Sequence, residues 1–102
     1  MSSRIQQLQD EIAIWSDATF GSGRPADIPL NHLAKEIQEL IVSPEDRMEY
    51  ADCLILLLDA FRLTGGSAEE LINTCYEKME INRKRKWGKP DKNGVVEHIR
   101  HE

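Results

Sequence analysis

Along this chain, apolar residues recur at steps of three and four through four successive segments. That is the spacing of one face of an α-helix. Ile5, Leu8, Ile12 and Trp15 mark a first helix within residues 1–18, from about Ser3 to Ala18. Thr19 to Pro29 holds two glycines and two prolines in eleven positions and reads as a loop. Leu30, Leu33, Ile37, Leu40 and Ile41 predict a second helix over 30–42. Ser43 can cap a new helix, Pro44 suits its first position, and Glu45 and Asp46 suit its positive end. A third helix is therefore expected over 44–63, forming a tight antiparallel hairpin with the second. Gly65-Gly66 ends it, and Ser67 with Glu70 has capping-box spacing for a fourth helix over 68–86. Leu71, Ile72, Cys75 and Met79 are its expected buried stripe, and Gly88 follows as a stop. The tail over 89–102 is mostly polar, and either packs through Val95, Val96 and Ile99 or is partly disordered. The pattern predicts an all-α, four-helix fold in one domain, 1–102.

One stretch does not fit a single small chain. Cys53-Leu54-Ile55-Leu56-Leu57-Leu58 is apolar all round, so the third helix needs cover on every side. With 102 residues there are too few elements to supply it. Part of this helix is therefore expected to pack against another copy of the chain.

Composition then narrows the classes. No apolar run approaches the roughly 20 residues of a membrane-spanning helix, and MSSRIQQLQDE lacks the apolar middle of a secretion signal. Two cysteines make no disulfide framework, so a cytoplasmic protein is expected, with no membrane partner. The net charge of −5 argues against a stable nucleic-acid partner, but it hides an uneven distribution. Seven of the 13 basic residues lie between Lys78 and Lys92, whereas Glu36 to Asp59 holds seven acids and one base, Arg47.

Within the acidic stretch, Glu36 and Glu39 are three apart on the second helix, and Glu49 and Asp52 are three apart on the third. Each pair shares a helix face. The pairs lie nearly level across the Ser43-Pro44 turn, beside apolar stripe residues. Four converging carboxylates repel one another unless a cation sits among them. An all-oxygen set suits Mg²⁺, with Mn²⁺ as its substitute, rather than Zn²⁺. Lys78, Asn82 and Arg85 follow i, i+4, i+7 spacing, and their cationic and amide groups suit phosphate oxygens. Together these features are what a metal-bound triphosphate requires.

The run Lys35-Glu36-Ile37-Gln38-Glu39 and the run Glu49-Tyr50-Ala51-Asp52 resemble the E-E-x-x-E and E-x-x-D motifs of the MazG-like nucleotide pyrophosphohydrolases. Residues 78–87, KMEINRKRKW, look like that family's K-x-x-x-N-x-x-R-x-W segment. Trp15-Ser16, Thr19-Phe20-Gly21, His32 to Glu36 and Leu58-Asp59-Ala60 are similar to the short phage-associated dATP/dGTP pyrophosphohydrolase branch, the MazZ type. Lys35 stands where the broader family has its first glutamate, and the gap between carboxylate motifs is shorter. The ligand set therefore comprises three or four carboxylates.

The resemblance implies a helical fold working as a dimer or a dimer of dimers. It implies hydrolysis of purine deoxynucleoside triphosphates, dGTP or dATP, to monophosphates in a bacterial host cytoplasm. Glu36, Glu39, Glu49 and Asp52 would hold two or three Mg²⁺ ions, and Lys78, Asn82 and Arg85 would take the phosphates. Trp15 is stripe-positioned, so core packing is its better reading over base stacking. Phe20, in the loop, could stack on a base. His32, one turn before Glu36, could support a ligand or contact a base. Asp59 could orient a ligand, meet a base or bond to Arg62. The competing reading is a non-enzymatic helical oligomer that binds nucleic acid or nucleotides through 78–92. It leaves the four carboxylates unexplained.

Overall fold

In a computed structural model describing residues 2–99, the chain forms α1 (Arg4–Phe20), α2 (Asp27–Val42), α3 (Arg47–Leu63) and α4 (Ala68–Lys84). The all-α, four-helix expectation holds. The chain divides into two compact units, Met1–Leu71 and Ile72–Glu102. Among the described residues no helix is long and apolar enough to cross a membrane.

In the first unit, α1 and α2 each pack on α3. Ser3 caps α1, its side chain accepting from the Gln6 N–H. This helix runs to Phe20, two residues past the predicted end, because glycine supplies the stop. Gly21 takes φ +95°, where a side chain would be strained, and its N–H closes on the Asp17 carbonyl. Beyond it, α2 begins at Asp27, three residues early, with Pro29 buried in its first turn. A first-turn proline loses no helical hydrogen bond. The expected eleven-residue loop is thus only Gly21–Ala26.

The α2–α3 connection also differs from its prediction. Ser43 ends α2 rather than starting α3, and its carbonyl accepts from the Asp46 N–H at 3.1 Å across a reverse turn containing Pro44. Asp46 is the cap of α3, its carboxylate accepting from the Met48 and Glu49 N–H groups. The stronger acceptor, three positions later, outcompetes the serine. Gly66 follows α3 tightly: a Cβ there would meet the Phe61 ring at 2.3 Å. Ser67 caps α4, accepting from the Glu70 N–H at 3.2 Å and donating to the Glu70 carboxylate.

The core is small and partly polar. Leu58 is 1% exposed and clusters with Ile12 and Ala68, flanked by Ile5, Leu8, Ile55 and Leu71. On α1 the buried face is Gln9, Ile12 and Ser16. Trp15, expected in the core, is 55% exposed. Ser16 takes the inward position because it hydrogen-bonds a buried carboxylate on α3, as described below. Gln9 is 2% exposed and its side-chain amide is hydrogen-bonded at both ends. Its Nε2 donates to the Leu58 and Gly66 carbonyls at 3.1 and 3.2 Å, and its Oε1 accepts from the Ala68 N–H at 2.7 Å.

Other expected burial is missing from the single chain. Leu54 and Leu57 on α3 are exposed, as are Ile72, Cys75 and Met79, three of the four residues of the expected α4 stripe. In the second unit, α4 stops at Lys84, leaving Arg85 and Lys86 beyond it. The described part of the tail is a short antiparallel ribbon. Trp87 pairs with His98, the Gly88 N–H donates to the Glu97 carbonyl at 2.8 Å, and Asp91 organises the turn by accepting from Asn93 and Val95. Val95, Val96 and Ile99 are exposed, so backbone bonds and not those side chains hold it. Residues 100–102 lie outside the described residues.

Replacing Gln9 by Leu keeps the volume but orphans the buried Ala68 N–H and the Gly66 carbonyl. The expected loss is about 2–4 kcal/mol. Urea unfolding should show a lower midpoint with an unchanged slope, and an unaltered midpoint would contradict this account of the core.

Candidate functional site

The α2–α3 hairpin gathers the predicted carboxylates. Ligand-capable oxygens of Glu36, Glu49 and Asp52 all lie within 4.8 Å of one another. The short Ser43–Asp46 turn and the Asp46 cap set this level. Glu39 stands outside the trio, exposed, with its carboxyl interacting with that of Glu36. Glu49 Oε2 is buried without a hydrogen-bond partner.

Crowding shows in the titration of the group. A hydrogen bond shared with Glu36 pushes the Glu49 carboxyl up to about 7, helped by burial and by the charges of Glu36, Glu39 and Asp52. The same bond from Glu49 holds Glu36 below its ordinary range, against burial. Glu39 is raised by its hydrogen bond and repulsion with Glu36. Burial, then the charges of Glu36, Glu49 and Asp52, pushes the Cys53 thiol up, so it is no nucleophile here. Carboxylates this crowded are the kind of group a cation relieves. Oxygen-only donors, one buried and unpartnered, match a hard divalent ion such as Mg²⁺ or Mn²⁺.

His32 supports this set directly: its Nε2 lies 3.0 Å from Glu36 Oε1, one turn away on α2. Beside the cluster opens a cavity of about 510 Å³ whose lining includes Glu36, Asp52 and His32. The rest is largely apolar or aromatic: Trp15, Phe20, Ile28, Pro29, Ile55 and Leu56, with Arg24 and Asp59. Trp15 and Phe20 meet edge to face, ring centres 5.4 Å apart.

Asp59 is 4% exposed and carries a network that the sequence pattern signalled only through Arg62. Its Oδ1 accepts from Arg62 at 2.6 and 2.9 Å, and its Oδ2 accepts from Ser16 Oγ at 2.7 Å and Arg24 Nη2 at 3.1 Å. Arg62 continues to Asp17 at 3.1 Å. Burial opposes ionisation of Asp59, but the bonds from Ser16, Arg62 and Arg24 outweigh it and hold its pKa below the ordinary value. Arg24, Ser16 and Asp17 were invisible to periodicity. Ser16 enters only through the family motif Trp15-Ser16.

The predicted phosphate residues lie in the second unit. Lys78 and Asn82 are on α4, but Arg85 is past its end, so the three do not share one helix face. Asn82 has a buried Oδ1 without a partner, and its carbonyl accepts from the Trp87 indole at 3.0 Å. Arg85 approaches His98 at 3.5 Å.

Residues 8–102 match the dATP/dGTP pyrophosphohydrolase family model, and the chain belongs to that family. The Eaa protein of Salmonella phage P22 is 40% identical over 95 residues, which are 93% of this chain and 30% of that protein. A dATP/dGTP diphosphohydrolase of Salmonella phage PMBT28 is 34% identical over 96 residues, 93% of this chain and 31% of that protein. The chain thus spans about a third of the length of the curated relatives it matches. Among solved structures, a cyanophage S-2L MazG-like pyrophosphohydrolase bound to dGDP and three catalytic Mn²⁺ ions per active site superimposes with a TM-score of 0.76. It is 37% identical, and the match covers 97% of this chain and 100% of that one.

The raised Glu49 gives a sign for stability in metal-free protein. Unfolded, it releases its proton near 4.5, but folded it holds it to about 7. That contribution is complete below 4.5 and is lost as pH rises through 7. The lowered groups Glu36 and Asp59 change below this window. In chelator, Tm should therefore fall between about pH 5 and 7.5, and millimolar Mn²⁺ should abolish the fall. A Tm rising over that range without metal would contradict the crowding.

Proposed function

We propose that this chain is a metal-dependent pyrophosphohydrolase of purine deoxynucleoside triphosphates, dGTP or dATP. Water attack breaks a phosphoanhydride bond, yielding the monophosphate with pyrophosphate or two phosphates. In an infected cell this would reshape the purine deoxynucleotide pool. The observation carrying the reading is the convergence of Glu36, Glu49 and Asp52 on the edge of the apolar, aromatic cavity. Family membership and the bound dGDP and Mn²⁺ of the S-2L relative support it.

In this reading Glu36, Glu49 and Asp52 hold Mg²⁺ or Mn²⁺, with Glu39 as the fourth ligand at the exposed side. Two or three ions per site are expected. Such ions supply Lewis-acid stabilisation of phosphoryl charge and a water activated at neutral pH. The chain's own groups do the rest. Glu49 gives up its shared proton when a cation enters. His32 fixes the orientation of Glu36 through its 3.0 Å contact. Trp15, Phe20 and the aliphatic lining hold the nucleoside by stacking and by excluding water. Lys78, Asn82 and Arg85 are assigned to the phosphates on the family motif alone.

The same reading makes the working unit a homodimer or a dimer of dimers. Exposed Leu54, Leu57, Ile72 and Met79 support it, since lone helices rarely leave such stripes uncovered. Light scattering should give two or four times the monomer mass, and a strict monomer at micromolar concentration would contradict it.

Incubation with each dNTP and Mg²⁺ should yield dGMP or dAMP. Glu49→Gln and Asp52→Asn should each lower kcat beyond the roughly 10–100-fold typical of residues behind a metal ligand. Helicity and assembly should persist. Full activity in both variants would refute the metal assignment.

A further inference from the structure

The aromatic wall of the cavity is held by little. Trp15 and Phe20 are each more than half exposed and touch one another only edge to face. Both sit near the end of α1, where Gly21 breaks the helix. A large exposed ring on a terminal turn samples several rotamers unless something pins it.

Arg24 is placed to do so. Its guanidinium lies over the Phe20 ring, 5.3 Å from the centre. Its Nε donates to the Gly21 carbonyl at 3.0 Å, folding the Gly21–Ala26 loop back on the helix end. Its Nη2 donates to Ser16 and to Asp59 Oδ2. Only 14% of the Arg24 side chain and 6% of that of Asp59 is exposed, so this ion pair is little screened. Asp59 lies on α3, two helical turns beyond the cluster carboxylate Asp52. The bond therefore ties the aromatic wall to the helix that carries part of the acidic cluster.

We propose that Arg24 is a positioning residue of the nucleoside cavity: clasped by Asp59 and Ser16, it fixes the Phe20 ring, and through it Trp15, against the incoming nucleoside. This rests on the hydrolase reading above. Arg24 touches no reacting group in this scheme. Its effect passes through the ring, so it governs substrate capture more than the chemical step. Lysine keeps the charge but lacks the planar fork that serves Gly21, Ser16 and Asp59 together.

The test is steady-state kinetics on the full chain with Mn²⁺ and dGTP or dATP, whichever is turned over. Arg24→Met should raise KM about tenfold or more, equivalent to at least about 1.4 kcal/mol of capture. Its kcat should stay within about threefold. Mn²⁺ affinity, measured without nucleotide, should be unchanged. Arg24→Lys should recover only part of the loss. Phe20→Leu should raise KM similarly, and the Arg24→Met/Phe20→Leu double variant should be no worse than either alone. Additive effects, a fall in kcat at constant KM, or full recovery with lysine would overturn the proposal. Should Arg24→Met not fold, Arg24→Lys and its double variant with Phe20→Leu make the same comparison. A wild-type chain that hydrolyses no nucleotide would instead refute the hydrolase reading, whereas an active wild type with an unaltered Arg24→Met would refute the clasp alone.

Discussion

A carboxylate buried between α1 and α3 must be fully answered by donors, and much of the first unit follows from that requirement. Asp59 has four donated bonds, from Ser16, Arg24 and both ends of the Arg62 fork. An ion so deep would cost several kcal/mol if left without partners. The need for Ser16 turns α1 about its axis, placing Gln9, Ile12 and Ser16 inward and leaving Trp15 outward. The need for Arg24 draws the loop back over the helix end. A polar demand in the core thus sets which aromatic residues are free to line a cavity.

A second group of acids has the opposite character. Asp59 is neutralised by its own chain, whereas Glu36, Glu49 and Asp52 face one another, with His32 against Glu36 on one side. The Glu49 carboxyl is instead pushed up to about 7 by its bond with Glu36. The hairpin holds these groups together because its packing and its Asp46 cap outweigh their repulsion. On the proposed reading, stability given up at this cluster would be recovered on binding a divalent ion, which would link folding to metal in the same few side chains.

Much of this was legible in the sequence. Four helices followed from spacing, because a 3.6-residue period survives even in a small, partly polar core. Two three-residue spacings flanking one turn predict four converging carboxylates, of which Glu36, Glu49 and Asp52 converge and Glu39 stands outside. What misled was local. Ser43 and Pro44 form a good cap signature, yet Asp46 supplies a charged acceptor three positions later. Trp15 sat on the apolar stripe, but a stripe counts hydrophobic residues and cannot foresee that Ser16 is wanted inside by Asp59. Arg24 lies in a glycine- and proline-rich stretch with no period, so its pairing with a residue 35 positions away left no local trace. The stripe expected to be buried on α4 is not buried in the single chain, where Ile72, Cys75 and Met79 are exposed.

The two connections on either side of α2 impose different rules on how this chain can vary. Between α2 and α3, Ser43–Asp46 is a closed hydrogen-bonded turn running directly into a cap. One residue gained or lost there would rotate Glu49 and Asp52 by about 100° relative to Glu36. The Gly21–Ala26 loop faces no such demand on length, only that an arginine return to Asp59. In this chain a single inserted residue should therefore be tolerated before α2 and not within the Ser43–Asp46 turn.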